Sequence, residues 1–562
     1  MTPTRSTTAS LALAAALALV PLASAAAATV APQPPAEGAP PATEGAPPAV
    51  PPAAATDRVV VKFRDGAVPE GSRDVVYAQA AAGRSGETGL VETAATVDGA
   101  QVVRTGEMLA GDELEALTTA LEQDPAVEYA EPDLLAAPAL AQPTVPGPLA
   151  GAAAQPNDPS YGALQWSLWD DPAGLGMPLA WDLATGAGQT IAIVDTGITA
   201  HPDLDANVLP GYDFVSTPEN GRDGDGWDAD ATDTGDYPDA ALCPGSVVSP
   251  NSTWHGTHTA GIAAADANNG QGISGVAPDA RILPVRAVGA CSQGYITDVA
   301  AGIAWAAGAP LPGVPANPNP ATVINLSLGV PGQCSPVLQA AIDQAVARGV
   351  PVVVAAGNQA VDASLSAPAN CAGVISVAAT DVAGGLAPYS NFGSVTLAAP
   401  GGDPFAQILS TGNDGLQAPG APTYTERNGT SMAAPAVSGA VALLREISPG
   451  LSPDGIRAAL TSTARQAPGG CAPGCGAGIV DPVSALISAQ GGQPFTTRGG
   501  IGGLQNRIGA TTGEPRSREL CALGGTPCFQ EFTNGWIVWN SGQGARWVPA
   551  LPAQWWGITA AG

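Results

Sequence analysis

Positive charge is scarce in this chain of 562 residues: 20 lysines and arginines stand against 49 aspartates and glutamates, and Lys62 is the single lysine. The formal net charge of −29 leaves no basic face for a nucleic-acid partner and no attraction to an anionic membrane. Acidity of this kind serves solubility. Histidine is rarer still. Only His201, His255 and His258 occur, so any mechanism that needs an imidazole must use one of the three. Cysteine is missing before Cys243, although eight follow from there on. Long apolar runs are missing apart from residues 11–20, and that run is too short for a stable transmembrane helix.

What is present points outward from the cell. Arg5, the apolar run and Ala23-Ser24-Ala25 have the layout of a secretory signal peptide over residues 1–25. An even set of late cysteines suits an oxidising compartment and leaves the pairing open. Cys471 with Cys475 and Cys521 with Cys528 are the local pairs; a four-cysteine zinc site is the weaker reading of the same spacing.

The chain is too long for one ordinary domain. Residues 26–55 are an Ala/Pro-rich linker. Residues 56–135 read as a small α+β unit, with strands at 59–63, 100–105 and 127–130, and helices at 74–82 and 112–121, the second capped by Asp112. Residues 136–156 are a second linker. From 157 to 490, buried apolar strands (190–195, 281–285, 322–328, 350–355, 374–379) alternate with helices such as 295–307 and 336–348. That alternation predicts a parallel sheet covered on both faces. Residues 491–562 hold Trp536, Trp539, Trp547, Trp555 and Trp556 of the eleven tryptophans and read as a separate small module.

Three segments carry chemistry. Val194-Asp195-Thr196-Gly197 ends an apolar strand, where sites gather in parallel sheets. His255-Gly256-Thr257-His258 opens a small-residue helix, and Gly429-Thr430-Ser431-Met432-Ala433 opens another. Alone, Ser431 reads as a helix cap; beside a histidine base and an orienting carboxylate it reads as a nucleophile. Asn358, after the strand that ends in Ala355-Ala356-Gly357, is either a turn residue or an amide donor for an oxyanion. Asp223, Asp225 and Asp228 lie in an Asp/Gly-rich stretch that continues through Asp233 and Asp236, and this is either a solvated loop or a calcium loop.

These segments, in the order Asp, His, Ser, resemble the subtilisin-like serine proteases over about residues 157–490. The resemblance implies an α/β subtilisin-like fold and a secreted serine endopeptidase that works through an acyl-enzyme. Asp195 is then the orienting acid, His255 the base, Ser431 the nucleophile and Asn358 the oxyanion donor. Ala436 stands where the family usually has a histidine outside the triad. Substrate would lie as an added strand along Ser327, Leu328 and Gly329 and near Tyr295. Its first side-chain pocket, walled by those residues and Ala355, Ala356 and Gly357, would be roomy and apolar. No cofactor is implied for catalysis; a structural calcium ion is implied at Asp203 and Asn269. The implied disulfides are Cys243–Cys291, Cys334–Cys371 and Cys471–Cys475. The 56–135 unit resembles the family's pro-segment, an intramolecular chaperone and inhibitor, with cleavage between about residues 133 and 155. The C-terminal stretch is similar to a single LGFP-type repeat and implies a cell-wall polymer as partner. A monomer acting on protein or peptide substrates is expected. The competing reading is a catalytically inactive scaffold of the same fold that binds the wall.

Overall fold

Runs of β-branched residues set two sheets in the computed structural model. It describes residues 55–69, 72–81, 89–138, 156–168, 173–239, 242–243, 250–465, 467, 469–471, 474–491, 520–521, 528–532, 534–540 and 544–548. The signal peptide, the linker to residue 54 and residues 139–155 of the processing region lie outside this set.

Val59, Val60 and Val61 sit mid-strand in β1 (Ala55–Phe63). With α1 (Arg73–Ala81), β2 (Val91–Ala95), β3 (Gln101–Ala110), α2 (Asp112–Glu122) and β4 (Val127–Pro132) it forms an antiparallel sheet of order β2-β3-β1-β4 under two helices. Leu114, Leu117 and Leu121, at helical spacing, pack on Val59, Val61 and Val103. Asp112 is the first helical residue and not the cap. Gly111 precedes it at φ 52°, and no side chain caps the helix. The Asp112 carboxylate still favours the helix through its N-terminal dipole.

The second sheet has seven parallel strands, in the order β15-β14-β12-β10-β6-β8-β7. Its elements are β6 (Thr190–Asp195), β7 (Tyr212–Asp213), α3 (His255–Ala264), β8 (Arg281–Arg286), α4 (Ile296–Ala306), β10 (Val323–Leu326), α5 (Pro336–Ala347), β12 (Val352–Ala355), β14 (Ile375–Thr380), β15 (Leu397–Pro400) and α6 (Thr430–Ile447). Side chains alternate between two cores. Ile191, Ile193, Val353 and Ala355 face α3 and α6, whereas Ala192, Val194, Val352 and Val354 face α4 and α5. The fold is therefore the α/β parallel sheet with helices on both faces.

The predicted strand over 322–328 is broken. β10 ends at Leu326, and the chain turns at Ser327 into β11 (Leu328–Pro331), which leaves the parallel sheet. There it joins β5 (Leu135–Pro138), β9 (Gly294–Tyr295) and β13 (Ser366–Ala367) in a small separate sheet. A hairpin, β16 (Ile408–Asn413) with β17 (Pro422–Arg427), leads into α6. Near the C-terminus β18 (Leu520–Cys521), β19 (Cys528–Phe532), β20 (Gly535–Asn540) and β21 (Gly544–Val548) pair antiparallel. Their register sets Cys521 opposite Cys528, but those side chains, with Trp539, Trp555 and Trp556, lie outside the described residues. Cys243 bonds Cys291, Cys334 bonds Cys371 and Cys471 bonds Cys475. Among the described residues no helix is long and apolar enough to cross a membrane.

Candidate active site

Asp195 is the last residue of β6, and His255 is the first residue of α3. The parallel sheet delivers the first to its carboxyl edge, where a small-residue helix presents the second. Gly256 permits the approach: a Cβ there would lie 2.1 Å from the Gly197 carbonyl oxygen. His255 Nδ1 donates to the two Asp195 oxygens at 2.7 and 2.9 Å, and both residues are fully buried. That bond fixes the tautomer with a lone pair on Nε2, and Nε2 has no partner among the described residues. Trp254 holds the preceding backbone in a left-handed turn (φ 50°) and anchors its indole to the Gly415 carbonyl at 2.8 Å.

Ser431 lies in the first turn of α6. Its hydroxyl donates to the Ser327 carbonyl at 2.8 Å, and the Ser327 hydroxyl donates back to the Ser431 carbonyl at 2.9 Å. The serine hydroxyl is thus bonded at the strand break, and His255 Nε2 takes no hydrogen bond from it. Asn358 follows β12. Its Oδ1 accepts from the Thr430 N–H and hydroxyl, both at 2.9 Å, which turns Nδ2 the other way; Nδ2 is buried without a partner among the described residues. Asn391, which no sequence pattern singles out, supports this loop. Its amide donates to the Ala356 carbonyl at 2.8 Å and accepts from the N–H groups of Gln359 and Val361.

Leu328 and Gly329 form one wall of a cleft, and β9 forms the other. Between them lies β5, antiparallel to both: Leu135 pairs with Tyr295, Ala136 with Gly294, Ala137 with Gly329 and Pro138 with Leu328. Ala355, Ala356 and Gly357 close the end of β12 beside Thr430, whose hydroxyl accepts from the Gly357 N–H at 3.1 Å.

The other two histidines bond to carbonyl oxygens of β17, those of Thr423 (His201) and Thr425 (His258), at 3.0 Å each. Burial, then the charges of Arg427 and His255, hold His258 well below the usual imidazole range.

The acidic residues divide. The Asp223 carboxylate is bound by the buried Arg286 guanidinium, a poor setting for a cation. Asp225 is exposed, and Asp228 accepts from the Asp230 N–H at 2.8 Å. Asp203 contacts Asn269, but its oxygens face donors: the Asn269 amide (2.7 Å), the Ile273 N–H (2.9 Å) and the Tyr424 hydroxyl (3.1 Å). Among the described residues no three His, Cys, Asp or Glu side chains converge to hold a metal ion. Further along, Asp233 and Asp236 are buried and bond to Thr196, beside Asp195, and to Thr253, two residues before His255. Burial, then the charge of Asp236, pushes Asp233 up to about 7.

A buried carboxylate–imidazole pair, a serine in the first turn of a helix and a strand held between two others are the parts a serine hydrolase of extended chains uses. The comparisons fix the family. The subtilase family model matches residues 186–510, and the LGFP repeat model matches residues 513–558. An extracellular protease of Xanthomonas campestris pv. campestris is 42% identical over 82% of this chain and 78% of its own. An extracellular basic protease of Dichelobacter nodosus is 39% identical over 78% of this chain and 71% of its own. A solved protease of Pseudoalteromonas arctica superposes with a TM-score of 0.58 at 46% identity, covering 60% of this chain and all of that one. The chain belongs to the subtilase family and is an extracellular serine endopeptidase, whose chemistry needs no cofactor.

Proposed function

We propose that Asp195, His255 and Ser431 form the catalytic triad of an endopeptidase that is made as a self-processing precursor. The observation that carries the reading is the buried Asp195–His255 bond at 2.7 Å, which leaves Nε2 as the open acceptor. For reaction, the Ser431 hydroxyl rotates from the Ser327 carbonyl to Nε2 and attacks the peptide carbonyl. His255 takes the proton, and Asp195 stabilises the resulting imidazolium. The oxyanion is held by Asn358 Nδ2 and the Ser431 N–H, a term worth roughly 3 kcal/mol per donor. Collapse passes the proton from His255 to the leaving amine. A water, deprotonated by His255, then hydrolyses the acyl-enzyme.

The β5 segment lies where the acyl side of a substrate would pair, which supports the 56–135 unit as pro-segment and inhibitor. We place the maturation cut beyond Pro138. A large parallel sheet has high contact order and folds slowly, so a folding template is physically apt. We assign structural calcium to neither acidic loop, because Asp223 is ion-paired and Asp203 is hydrogen-bonded by protein donors. The C-terminal LGFP match supports attachment to a cell-wall polymer, with the enzyme acting as a monomer. That match is also what favours the second reading, an inactive wall-binding scaffold.

Expression of the full-length chain and its Ser431→Ala form separates the two readings. The wild type should cut itself beyond Pro138 and hydrolyse casein, and the variant should do neither. If both stay intact and inert, the scaffold reading stands.

A further inference from the structure

The part of the acidic insert that no ligand explains is tied to the catalytic histidine. Asp233 Oδ2 accepts the Thr196 hydroxyl at 2.6 Å, and its Oδ1 accepts the Gly235 N–H at 2.9 Å. With its O–H directed at Asp233, the Thr196 hydroxyl turns a lone pair to the Gly256 N–H, which donates to it at 3.0 Å. The Thr196 N–H in turn donates to Asp195 Oδ1 at 2.8 Å. On the other side of the histidine, Asp236 accepts both the N–H and the hydroxyl of Thr253, the hydroxyl at 2.7 Å, and also the Ser292 hydroxyl. The Thr253 carbonyl is taken by Arg427. Thr253 and Gly256 bracket Trp254-His255, so the backbone of His255 is held before and after the ring it carries.

Between the two carboxylates the chain turns at Gly235 (φ 102°), where a Cβ would lie 2.0 Å from the Gln417 carbonyl oxygen. The same 414–421 loop binds the Trp254 indole through Gly415 and the Ser252 N–H through Leu416. The insert, this loop and the histidine segment therefore lock as one body. Both carboxylates are about 1% exposed, so their bonds run to fixed protein donors and not to water.

We infer that Asp233 and Asp236 are positioning residues. Asp233 acts through Thr196 and Asp236 through Thr253, and together they set the distance and angle between Asp195 and His255. The inference rests on the triad proposed above. An Asn at 233 could still accept from Thr196, but its amide would turn a donor toward the Gly235 N–H, and the Thr196 hydroxyl would lose its fixed direction. A misplacement on the order of 1 Å in such a pair costs up to about a hundredfold in rate.

The test uses the full-length chain after its own processing, with a chromogenic peptide substrate. Asp233→Asn and Thr196→Val should each lower kcat roughly thirtyfold while KM stays within about twofold. The double variant should be no worse than the worse single one, because the two groups act as one relay. Thr196→Ser should recover most of the kcat lost in Thr196→Val, which separates loss of the hydroxyl from loss of packing. Asp236→Asn should lower kcat in the same way. Single variants with unchanged kcat, losses carried by KM, or singles whose losses multiply in the double would overturn the inference. His255→Ala, freed of its pro-segment by added wild-type enzyme that is then removed, keeps the two readings apart in the same assay. If it is inactive while Asp233→Asn is fully active, only the positioning role fails; if it retains wild-type activity, the triad itself fails.

Discussion

The two sheets that meet at the cleft are held by opposite kinds of contact. The seven-stranded sheet is sealed by aliphatic side chains on both faces, and every residue of β10, β12, β14 and β15 is buried. The four-stranded sheet seals one face with its own helices and meets the larger domain through polar groups as well as the apolar Val97 and Leu134. Arg58 pairs with Asp133 at 2.9 Å, stacks on the Tyr295 ring at 3.8 Å and donates to Ser216 and Thr297. Asp133 also accepts the N–H and hydroxyl of Thr297 in the first turn of α4. Glu131 accepts the Val337 N–H at the start of α5. A cavity of about 230 Å³ remains between β2 and the larger domain, lined in part by Val97, Trp227 and Leu311. An interdigitated apolar core does not come apart without unfolding. An interface of hydrogen bonds, helix-end contacts and a void can separate while both sides stay folded. The contrast fits a permanent sheet beside a removable one.

Two substitutions probe the difference. Ile324→Ala empties a site in the middle of β10 and should destabilise the larger domain by about 4 kcal/mol. Thermal unfolding should shift alike in the precursor and the processed enzyme; a shift confined to the precursor would break the contrast. Asp133→Ala strips the N-terminal turn of α4 of its acceptor and takes from the buried Arg58 its nearest charge, leaving those of Asp298 and Asp57. The loss is on the order of 3 kcal/mol, or roughly a hundredfold in pro-segment affinity. Active enzyme should appear much faster from this precursor, with the melting temperature of the processed enzyme unchanged. Equal rates of appearance would mean that the polar contacts do not hold the sheet in place.

Much of this architecture is legible in the amino-acid sequence. The parallel sheet shows in its apolar runs, because a strand buried on both faces needs no polar positions. The segments of Asp195, His255, Asn358 and Ser431 show because each is a local string of small residues at an element end. What stays hidden depends on closure between distant segments. Periodicity carries no trace of Thr196 meeting Asp233, or of Asn391 reaching Ala356. The acidic insert can be counted but not partitioned, since an aspartate that binds Arg286, one exposed to water and one that fixes the histidine segment look alike in composition. The break at Ser327 is hidden for a related reason: its β-branched and aliphatic neighbours run on through both strands, and only the reciprocal bonds to Ser431 mark where the chain leaves the sheet.

The smallest expected effect is also the most diagnostic of the removable interface, because it is a change of slope with pH. Burial, opposed by the Val337 N–H, pushes the Glu131 carboxyl up to about 8 in the docked state. In a released, solvated pro-segment it returns to the ordinary range, near about 4.3. Docking therefore takes up a proton. The Glu131 contribution is complete below the released value and is lost as pH rises through the docked value, so docking weakens between about pH 4.5 and 8. Asp133, also raised by burial, and Asp298, raised to about 6 by burial and by the Asp133 charge, add slope of the same sign; Arg58 opposes both shifts. Glu131→Gln mimics the protonated form and keeps an acceptor for Val337. Its precursor should gain activity at nearly the same rate at pH 6.5 and pH 8.5, once rates are divided by the activity of the processed enzyme at each pH, whereas the wild type should speed up by roughly tenfold or more over that interval. If the variant keeps the wild-type slope, the proton is taken up elsewhere, and the contact at the start of α5 is a fixed hydrogen bond and not a releasable one.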